Sequence, residues 1–392
     1  MRILLIHNDY REPGGETAVY RAEVALLQQY GHEVFTWQRD NSEIFTYDLR
    51  RKSVFLINTI HNWQTYHDLQ SFVLDKRPDV AHVHNVFPLI SPSVYRALRK
   101  AGIPIVQTIH NYRFLCPNAV FYTHGQICER CKYGNTIHAV RWRCYRRSHT
   151  LSALYALTIY LHRRWGTFKM IDRFIALTQF VGQKLIESGL TSADKINVLG
   201  NFLSDPLPVP GSFEYREPYV AYLGRLSPEK GVDVLLDALT GLPKIRLKII
   251  GDEPQKTTLQ MKAQKQGVQA DFLGYVTGEK KFELLRQAMV VIVPSVWYEG
   301  FTVAILESMA SGTPVLASNI GSLPFIVEDG KSGVLFRPGD SQDLRQKLEW
   351  LLARPQQALA MGLYARSVVE QRYTALAHYN TLMEIYNSVI KG

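Results

Sequence analysis

The chain has 392 residues, 46% hydrophobic and 20% charged, which is enough for two ordinary hydrophobic cores. Its net charge of +10 lies in the first half, because residues 1–200 hold 25 basic against 15 acidic side chains and residues 201–392 hold 20 of each. No apolar run reaches the roughly 18 to 20 residues that span a bilayer, and the apolar start at Met1 to Asn8 lacks the flanks of a secretory signal. We therefore expect a cytoplasmic protein.

Short apolar runs alternate with amphipathic segments along the whole chain. The first series contains RILLIH, GHEVFTW, DVAHVHN and IPIVQTIH, and a second series begins at Tyr219 with YVAYLGR. This alternation predicts βαβ units and one parallel sheet in each half. Four prolines between Ser204 and Pro218 disfavour helix and central strand there. We predict α/β domains at 1–203 and 219–370, a linker at 204–218, and a C-terminal helix at 371–392 that could cross back to the first domain.

Two features of the first half lie at predicted strand ends. Gly14 and Gly15 follow the first strand, and glycine allows a close approach of backbone to a ligand. A plain tight turn would explain them equally well. His110 ends the run IPIVQTIH, and ligands of open α/β sheets bind at the carboxyl ends of strands. His110 is therefore placed where a ligand would bind, with a structural histidine as the alternative.

All four cysteines fall in one segment of the first domain, at about 112–150. Cys116, Cys128, Cys131 and Cys144 have the spacing C-x11-C-x2-C-x12-C, with which four thiolates can converge on one zinc ion. An iron-sulfur cluster, disulfides and four unligated thiols are the alternatives. We predict a structural zinc site that stabilises an insertion with little core of its own.

The cysteine-rich insertion is also basic and continues into a segment that mixes apolar and cationic residues. The densest basic run is RWRCYRRSH, and LSALYALTIYLHRRWGTFKM follows it. Basic segments of this kind attract phosphate, nucleic acid or acidic lipid. We expect contact with an anionic membrane surface, at the inner face of the cell membrane; a solvated basic face without a partner is the alternative.

The second half contains the most specific motifs. In YLGRLSPEKG, Arg225 and Lys230 follow a strand and provide two cations for phosphate oxygens. In PSVWYEGFTVAILESMASGTPVLAS, Glu299 and Glu307 bracket a strand-to-helix junction. The amides of Gly300, Phe301 and Thr302 would lie at a helix N-terminus, where a phosphate binds readily. Together these motifs indicate a diphosphate site that needs no metal.

The order of the motifs GGET, TIH, GRLSPEKG, Glu-x7-Glu and DGKSGVLFRPGD resembles the retaining glycosyltransferases of family 4 over nearly the whole chain. The resemblance implies the α/β GT-B fold, with two Rossmann-like domains that face each other across a cleft. It also implies a catalytic pair of His110 against the donor sugar and Glu299 on the hexose. The donor-binding residues that it implies are Gly14, Gly15, Arg225, Lys230, Tyr275, Val276, Gly300, Phe301, Thr302 and Glu307.

Three positions depart from the family pattern. Asn111 stands where an aspartate commonly follows the histidine, Thr302 replaces a glycine, and Phe325 stands where a glutamate is frequent. The first change removes a carboxylate that would orient the histidine ring or nearby waters. The third indicates a different specificity for sugar or acceptor.

The resemblance implies a retaining, metal-independent transfer of a hexose-type sugar from a UDP-, GDP- or ADP-linked donor to a polysaccharide or lipid-linked acceptor. Two other functions stay open at this stage. A GT-B sugar-nucleotide epimerase would use the same donor and need no acceptor. A nucleic-acid-binding protein would use the basic insertion, but it would leave the motifs of the second half unexplained, so we expect no nucleic-acid partner.

Overall fold

Two parallel sheets account for the alternating apolar runs. The first run, at positions 3–6, is fully buried, as expected for a strand whose sheet is covered by helices on both faces. The computed structural model describes residues 1–10, 14–211, 218–242 and 244–390. Residues 212–217 of the predicted linker lie outside these ranges.

The first part of the chain, up to position 201, has eight strands and seven α-helices among the described residues. The strands are β1 (Arg2–Asp9), β2 (Glu33–Asp40), β3 (Val80–Asn85), β4 (Ile105–Ile109), β5 (Tyr122–Thr123), β6 (Gln126–Ile127), β7 (Arg173–Ala176) and β8 (Ile196–Val198). The α-helices are α1 (Gly15–Gln29), α2 (Leu49–Ile60), α3 (Trp63–Lys76), α4 (Ser93–Lys100), α5 (Ile137–Arg141), α6 (His149–Arg164) and α7 (Gln179–Glu187). Short 3-10 helices are found at Asn41–Thr46, Thr167–Met170 and Ala193–Lys195.

The second part of the chain repeats this alternation. Its strands are β9 (Tyr219–Leu223), β10 (Arg246–Ile250), β11 (Ala270–Gly274), β12 (Val290–Val293), β13 (Val315–Ser318) and β14 (Gly333–Phe336). Its α-helices are α8 (Val232–Leu239), α9 (Lys256–Gln266), α10 (Gly278–Gln287), α11 (Val303–Ala310), α12 (Leu323–Ile326), α13 (Ser341–Leu352), α14 (Pro355–Arg372) and α15 (Ala375–Ile390). A 3-10 turn at Pro228–Lys230 precedes α8.

Each sheet has six parallel strands and reverses its strand order once. The first has the order β2-β1-β3-β4-β7-β8, so the chain leaves β1 in one direction for β2 and crosses back to β3 on the other side. The second has the order β11-β10-β9-β12-β13-β14, which is the doubly wound order 3-2-1-4-5-6. Ligands of such sheets bind beyond the strand carboxyl ends at the reversal, next to β1 and β3 or to β9 and β12.

The chain divides into two compact units. Unit 1 comprises Met1–Phe121, Cys128–Asn201 and His378–Gly392, and unit 2 comprises Tyr122–Ile127 and Phe202–Ala377. The last helix, α15, starts in unit 2, and its residues from His378 on belong to unit 1. There Leu382 and Tyr386 are buried against the core around Ile3 and Val106. Among the described residues, no helix has both the length and the apolar character that crossing a bilayer requires.

Candidate active site

The loops after β9 and β12 of unit 2 meet at the reversal of the second sheet. Lys230 ends the short turn after β9, and Glu299 follows β12 by six positions. The Nζ atom of Lys230 donates to Oε1 of Glu299 at 2.7 Å, and Ser295 Oγ donates to the same oxygen at 2.6 Å. Glu299 is only 3% exposed, so the ion pair and the hydroxyl compensate a buried charge. The structure thus brings two predicted site residues together.

A glycine fixes the loop that carries Lys230. Gly231 has a φ of +68°, and a Cβ atom there would lie 2.0 Å from the carbonyl oxygen of Pro294. Both the left-handed conformation and the close approach exclude other residues. The Val296 amide also donates to the Glu229 carbonyl at 2.9 Å. The turn before α8 is therefore held against the chain that leaves β12.

Arg225 lies in the same loop but has a different partner. Its Nη2 donates to Oε1 of Glu229 at 2.8 Å, and Ser227 Oγ donates to that oxygen at 2.6 Å. The Arg225 side chain is 57% exposed, so the ion pair contributes little to stability. The two predicted cations thus lie at one sheet edge, each paired with its own carboxylate.

Helix α11 begins beside this edge without a side-chain cap. Thr302 is its N-cap residue, makes no capping hydrogen bond, and has a buried Oγ1 atom without a partner. Gly300 and Phe301 precede it, and the first amides of a helix have no partner within the helix. The residue pattern therefore provides donors for an anion at this position.

Glu307 lies one turn further along α11 and forms an ion pair with Lys281 of α10. Burial raises the pKa of the Glu307 carboxyl, and the charge of Lys281 opposes that effect. Tyr275 and Val276 follow β11, two strands away from β9, and Tyr275 is 78% exposed. An exposed aromatic ring there is available for stacking.

In unit 1, a row of buried polar side chains leads to His110. His110 follows β4 directly, and its Nε2 atom lies 2.9 Å from Nδ1 of His84 on β3. The Nε2 atom of His84 lies 3.1 Å from Oε2 of Glu23 on α1. Burial lowers the pKa of His110 well below its usual range, and His84 and His7 add to the shift. His110 is therefore a neutral imidazole at neutral pH.

Glu23 is surrounded by three imidazoles. His378 of α15 contacts its Oε1 at 2.9 Å, and His82 Nδ1 lies 3.5 Å from its Oε2. Carboxylate and imidazole atoms of Glu23, His82 and His84 lie within 4.8 Å of one another, which is close enough for a metal site. However, His82 already bonds Tyr386 through Nδ1 and Thr108 through Nε2, each at 2.7 Å. We interpret the cluster as a hydrogen-bond network.

Asn111, where the family pattern has an aspartate, is bonded to a carboxylate from another element. Its Nδ2 donates to Oε2 of Glu16, in the first turn of α1, at 3.1 Å. Burial raises the pKa of Glu16 to about 7, against the lowering effect of Asn111 and Arg113. A side-chain carboxyl is thus present beside position 111, supplied by the GGET segment.

Gly14 and Gly15 lie at the start of α1, with Gly14 as its N-cap residue. Gly14 has an extended φ of −111°, and a Cβ atom at either glycine would meet nothing within 4 Å. Protein packing therefore does not explain the two glycines, and their role in ligand binding stays a prediction.

The four cysteines form no disulfide. Cys116 and Cys131 are buried, and Cys131 interacts electrostatically with the other three. Within the described part of the chain, no three of the sulfurs lie within 4.8 Å of one another. Among the described residues, the four cysteines thus interact with one another, but no three of their sulfurs are close enough to share a metal ion.

Sequence reasoning missed the partners of the predicted residues. The partner of Arg225 is Glu229, that of Glu299 is Ser295 and that of Glu307 is Lys281. None of these three partners stands in a distinctive sequence pattern. His82 and His84 did have a signal. They alternate in the strand DVAHVHN and therefore lie on one face of it.

Fold and site together define the GT-B class, an α/β architecture of two parallel-sheet domains. The model described as "Glycosyltransferase Family 4" matches residues 13–205, and that described as "Glycosyl transferases group 1" matches residues 210–368. The chain belongs to the family 4 glycosyltransferases.

Among individual relatives, the chain is similar to the sulfoquinovosyl transferase of Arabidopsis thaliana, with 29% identity over 244 residues, 58% of this chain and 47% of the relative. The chain spans about half the length of the curated relatives it matches. A sucrose-phosphate synthase from Thermosynechococcus elongatus has the same fold, with a TM-score of 0.75, 19% identity and 99% of each chain covered. Anabaena HepE in complex with UDP has a TM-score of 0.70 and 19% identity, and the match covers 99% of this chain and 100% of HepE.

The raised pKa of Glu16 predicts that the free energy of unfolding depends on pH. A buried carboxyl with a folded pKa near 7 stabilises the protein fully below about pH 4.5, and this contribution is lost as the pH rises through 7. Replacing Glu16 with Gln removes the ionisation. From pH 5 to pH 8 the free energy of unfolding of the parent protein should therefore fall relative to Glu16→Gln, by up to about 3 kcal/mol. Urea denaturation at both pH values measures this, and parallel pH dependences would contradict it.

Proposed function

We propose that the protein transfers a hexose-type sugar from a nucleotide-sugar donor to a saccharide or lipid-linked acceptor, without a catalytic metal. The observation that carries the proposal is the Lys230–Glu299 pair at the sheet reversal, next to the uncapped start of α11. A cation and a helix N-terminus at this edge suit a diphosphate. The complex of Anabaena HepE with UDP, a protein of the same fold, supports a nucleoside diphosphate as ligand.

The proposed mechanism follows from where charge develops. As the sugar leaves, negative charge grows on the bridging oxygen of the diphosphate, and the sugar gains oxocarbenium character. Lys230, Arg225 and the first amides of α11 stabilise that charge because they are already in position. We propose that Glu299 binds the hexose, Glu307 the ribose and Tyr275 the base. His110 contacts the donor sugar, and attack from the same face retains the anomeric configuration.

We further propose a structural zinc at the four cysteines. Burial raises the pKa of the Cys116 thiol to about 11 and that of Cys131 to about 12, and backbone amides of Phe121 and Asn118 at Cys116 and of Ala139 at Cys131 oppose that rise. Amide donors of this kind stabilise thiolates, the form that binds zinc. Tetrahedral binding would bring the sulfurs to about 3.8 Å from one another, around Zn–S distances of about 2.3 Å.

We also propose that unit 1 contacts an anionic lipid surface. Helix α6 exposes Leu157 and Tyr160, and Trp165 directly after it is exposed as well. Arg164 and Lys169 are exposed in the same region. Apolar side chains among cations suit the boundary of an acidic bilayer, where each cation contributes about 1 kcal/mol. A lipid-linked acceptor and a cytoplasmic location at the inner face of the cell membrane are part of this proposal.

Helix α2 extends the same surface, because it packs beside α6. It exposes Val54 and Ile57 together with the basic stretch at 50–52. This helix lies outside the segment that the sequence pattern singled out.

The donor site is tested by replacing Lys230 with Gln. In a thermal-shift screen with UDP-, GDP- and ADP-sugars, one donor class should stabilise the parent protein, by about 2.7 kcal/mol at 100 times its Kd. Loss of the cation should weaken donor binding at least about 10-fold and lower transfer by about 10² to 10³. Lys262→Ala is the matched control, since it removes an ion pair of similar length in the same unit, with Asp237 at 2.8 Å.

Unchanged donor binding and transfer in Lys230→Gln would contradict the proposed site. Conversion of the donor sugar at the full rate without any acceptor would identify an epimerase instead.

Zinc is tested by metal analysis of the purified protein and by titration of its thiols. The chain has only four cysteines, so a filled site should contain one zinc and should release four reactive thiols with one zinc when a mercurial is added. Cys128→Ser with Cys131→Ser should abolish the metal content. Four thiols that react in the native protein, with no zinc present, would overturn the proposal, as would iron and sulfide in place of zinc.

Membrane contact is tested by co-sedimentation with vesicles. We expect the protein to pellet with phosphatidylglycerol vesicles and not with phosphatidylcholine vesicles. Leu157→Glu with Tyr160→Glu should reduce pelleting several-fold, whereas Leu363→Glu, at an exposed leucine of unit 2, should not. Binding that is independent of acidic lipid, or equal for both variants, would refute the surface.

A further inference from the structure

One ion pair joins two helices of unit 2 at the predicted donor site. The Nζ atom of Lys281 on α10 donates to Oε1 of Glu307 on α11, and the two side chains are 18% and 13% exposed. The same Nζ atom lies 4.9 Å from the ring centroid of Phe282, which packs against the core around Leu285. Charges so far removed from water need a close partner. The ammonium group and the carboxylate therefore fix each other.

Lys281 is the charged side chain that faces Glu307. Of the elements packed against α11, β12 and β13 have no titratable residue. On α14, Arg366 donates to the carbonyl oxygen of Ala310 and pairs with Glu370. Burial raises the pKa of the Glu307 carboxyl, and the charge and hydrogen bond of Lys281 oppose that rise. Without Lys281 the pKa of Glu307 would therefore be higher still.

The two helices that this pair joins contribute different parts of the predicted donor site. Helix α11 begins at the uncapped Thr302 and has Glu307 one turn further on. Helix α10 begins directly after the loop that follows β11, which contains the exposed Tyr275. Lys281 thus connects the helix whose first amides suit a diphosphate to the helix that follows the exposed ring. The carboxylate that it contacts lies on the first of these two helices.

We propose that Lys281 is a positioning residue, which holds the Glu307 carboxylate for the ribose hydroxyls of the donor. A carboxylate accepts hydrogen bonds through both oxygens, whereas a protonated carboxyl has less capacity to accept. A site built to bond a hydroxyl rejects the analogue that lacks it. The inference rests on the proposed function for the identity of the ligand, but the effect of Lys281 on Glu307 is a property of the free protein.

Two substitutions at position 281 test the positioning role. Lys281→Met removes the charge and keeps an unbranched side chain, and Lys281→Arg keeps the charge. The probe is the nucleoside diphosphate that binds the parent protein best, compared with its 2′-deoxy and 3′-deoxy forms by calorimetry at neutral pH. The parent protein and Lys281→Arg should bind the ribose form about 10-fold more tightly than either deoxy form, and Lys281→Met less than about threefold.

The pH dependence of that preference is a readout which a merely structural ion pair would not move. Because Lys281 lowers the pKa of Glu307, its loss shifts the protonation of this carboxyl to higher pH. In Lys281→Met the preference for ribose should therefore recover in part between about pH 6 and about pH 9. Glu307→Gln cannot ionise and should lack the preference at every pH. Adding Lys281→Met to Glu307→Gln should cause no further loss of preference.

The matched control is Arg286→Met. Arg286 lies on the same helix as Lys281 and pairs with Glu279 at 2.6 Å, and Glu307 is not part of that pair. Removing it should leave the ribose preference and its pH dependence at the parental values. Equal losses of preference in Arg286→Met and Lys281→Met would show a general effect of α10 and overturn the specific role of Lys281.

The outcomes separate this inference from the proposed function. A parental ribose preference in folded Lys281→Met, with a parental pH dependence, would overturn the positioning role and leave the proposed donor site intact. A parent protein that binds no nucleoside diphosphate would refute the proposed function and the ribose as ligand. NMR of isotope-labelled glutamate then decides the effect on Glu307: a titration moved to higher pH in Lys281→Met would support it, and an unchanged titration would overturn it.

Discussion

A parallel sheet covered by helices on both faces can hold uncompensated polar groups only where its strands end. This constraint places both candidate sites. In unit 2, the loops after β9 and β12 bring Lys230 and Glu299 to the reversal of strand order. In unit 1, His110 follows β4 at the equivalent edge. The histidines inside β3 are the exception, and because they are fully covered they must be compensated by buried partners such as Glu23.

The sequence pattern predicted the fold class because the long apolar runs and their spacing are local properties. The family models confirm the glycosyltransferase family, and the solved structures confirm the GT-B fold. Short strands were harder to recognise. The strands β7 and β8 have four and three residues, too few to show a period, and only their neighbours in the sheet define them. Residues at strand ends could be singled out, but their functional roles stay predictions.

The partners of the site residues could not be predicted, because they come from distant parts of the chain. Lys230 and Glu299 are 69 positions apart, and Glu23 and His378 are 355 apart. Residues so far apart in the sequence produce no local periodicity by which their pairing could be recognised. Glu16 illustrates the same limit: position 111 lacks the carboxylate of the family pattern, and only the packing of α1 supplies one.

The two candidate sites use charge in different ways, and this decides how each responds to solvent. In unit 2 each cation is balanced by a carboxylate, and Lys230 and Arg225 remain partly exposed. Dissolved ions screen such groups, and a diphosphate can compete with the carboxylates for them. In unit 1 a single anion is enclosed by imidazoles that are almost fully buried. Because that network is buried, added salt hardly screens it. Raising the ionic strength should therefore weaken the binding of an anion to unit 2 and leave the histidine network unchanged.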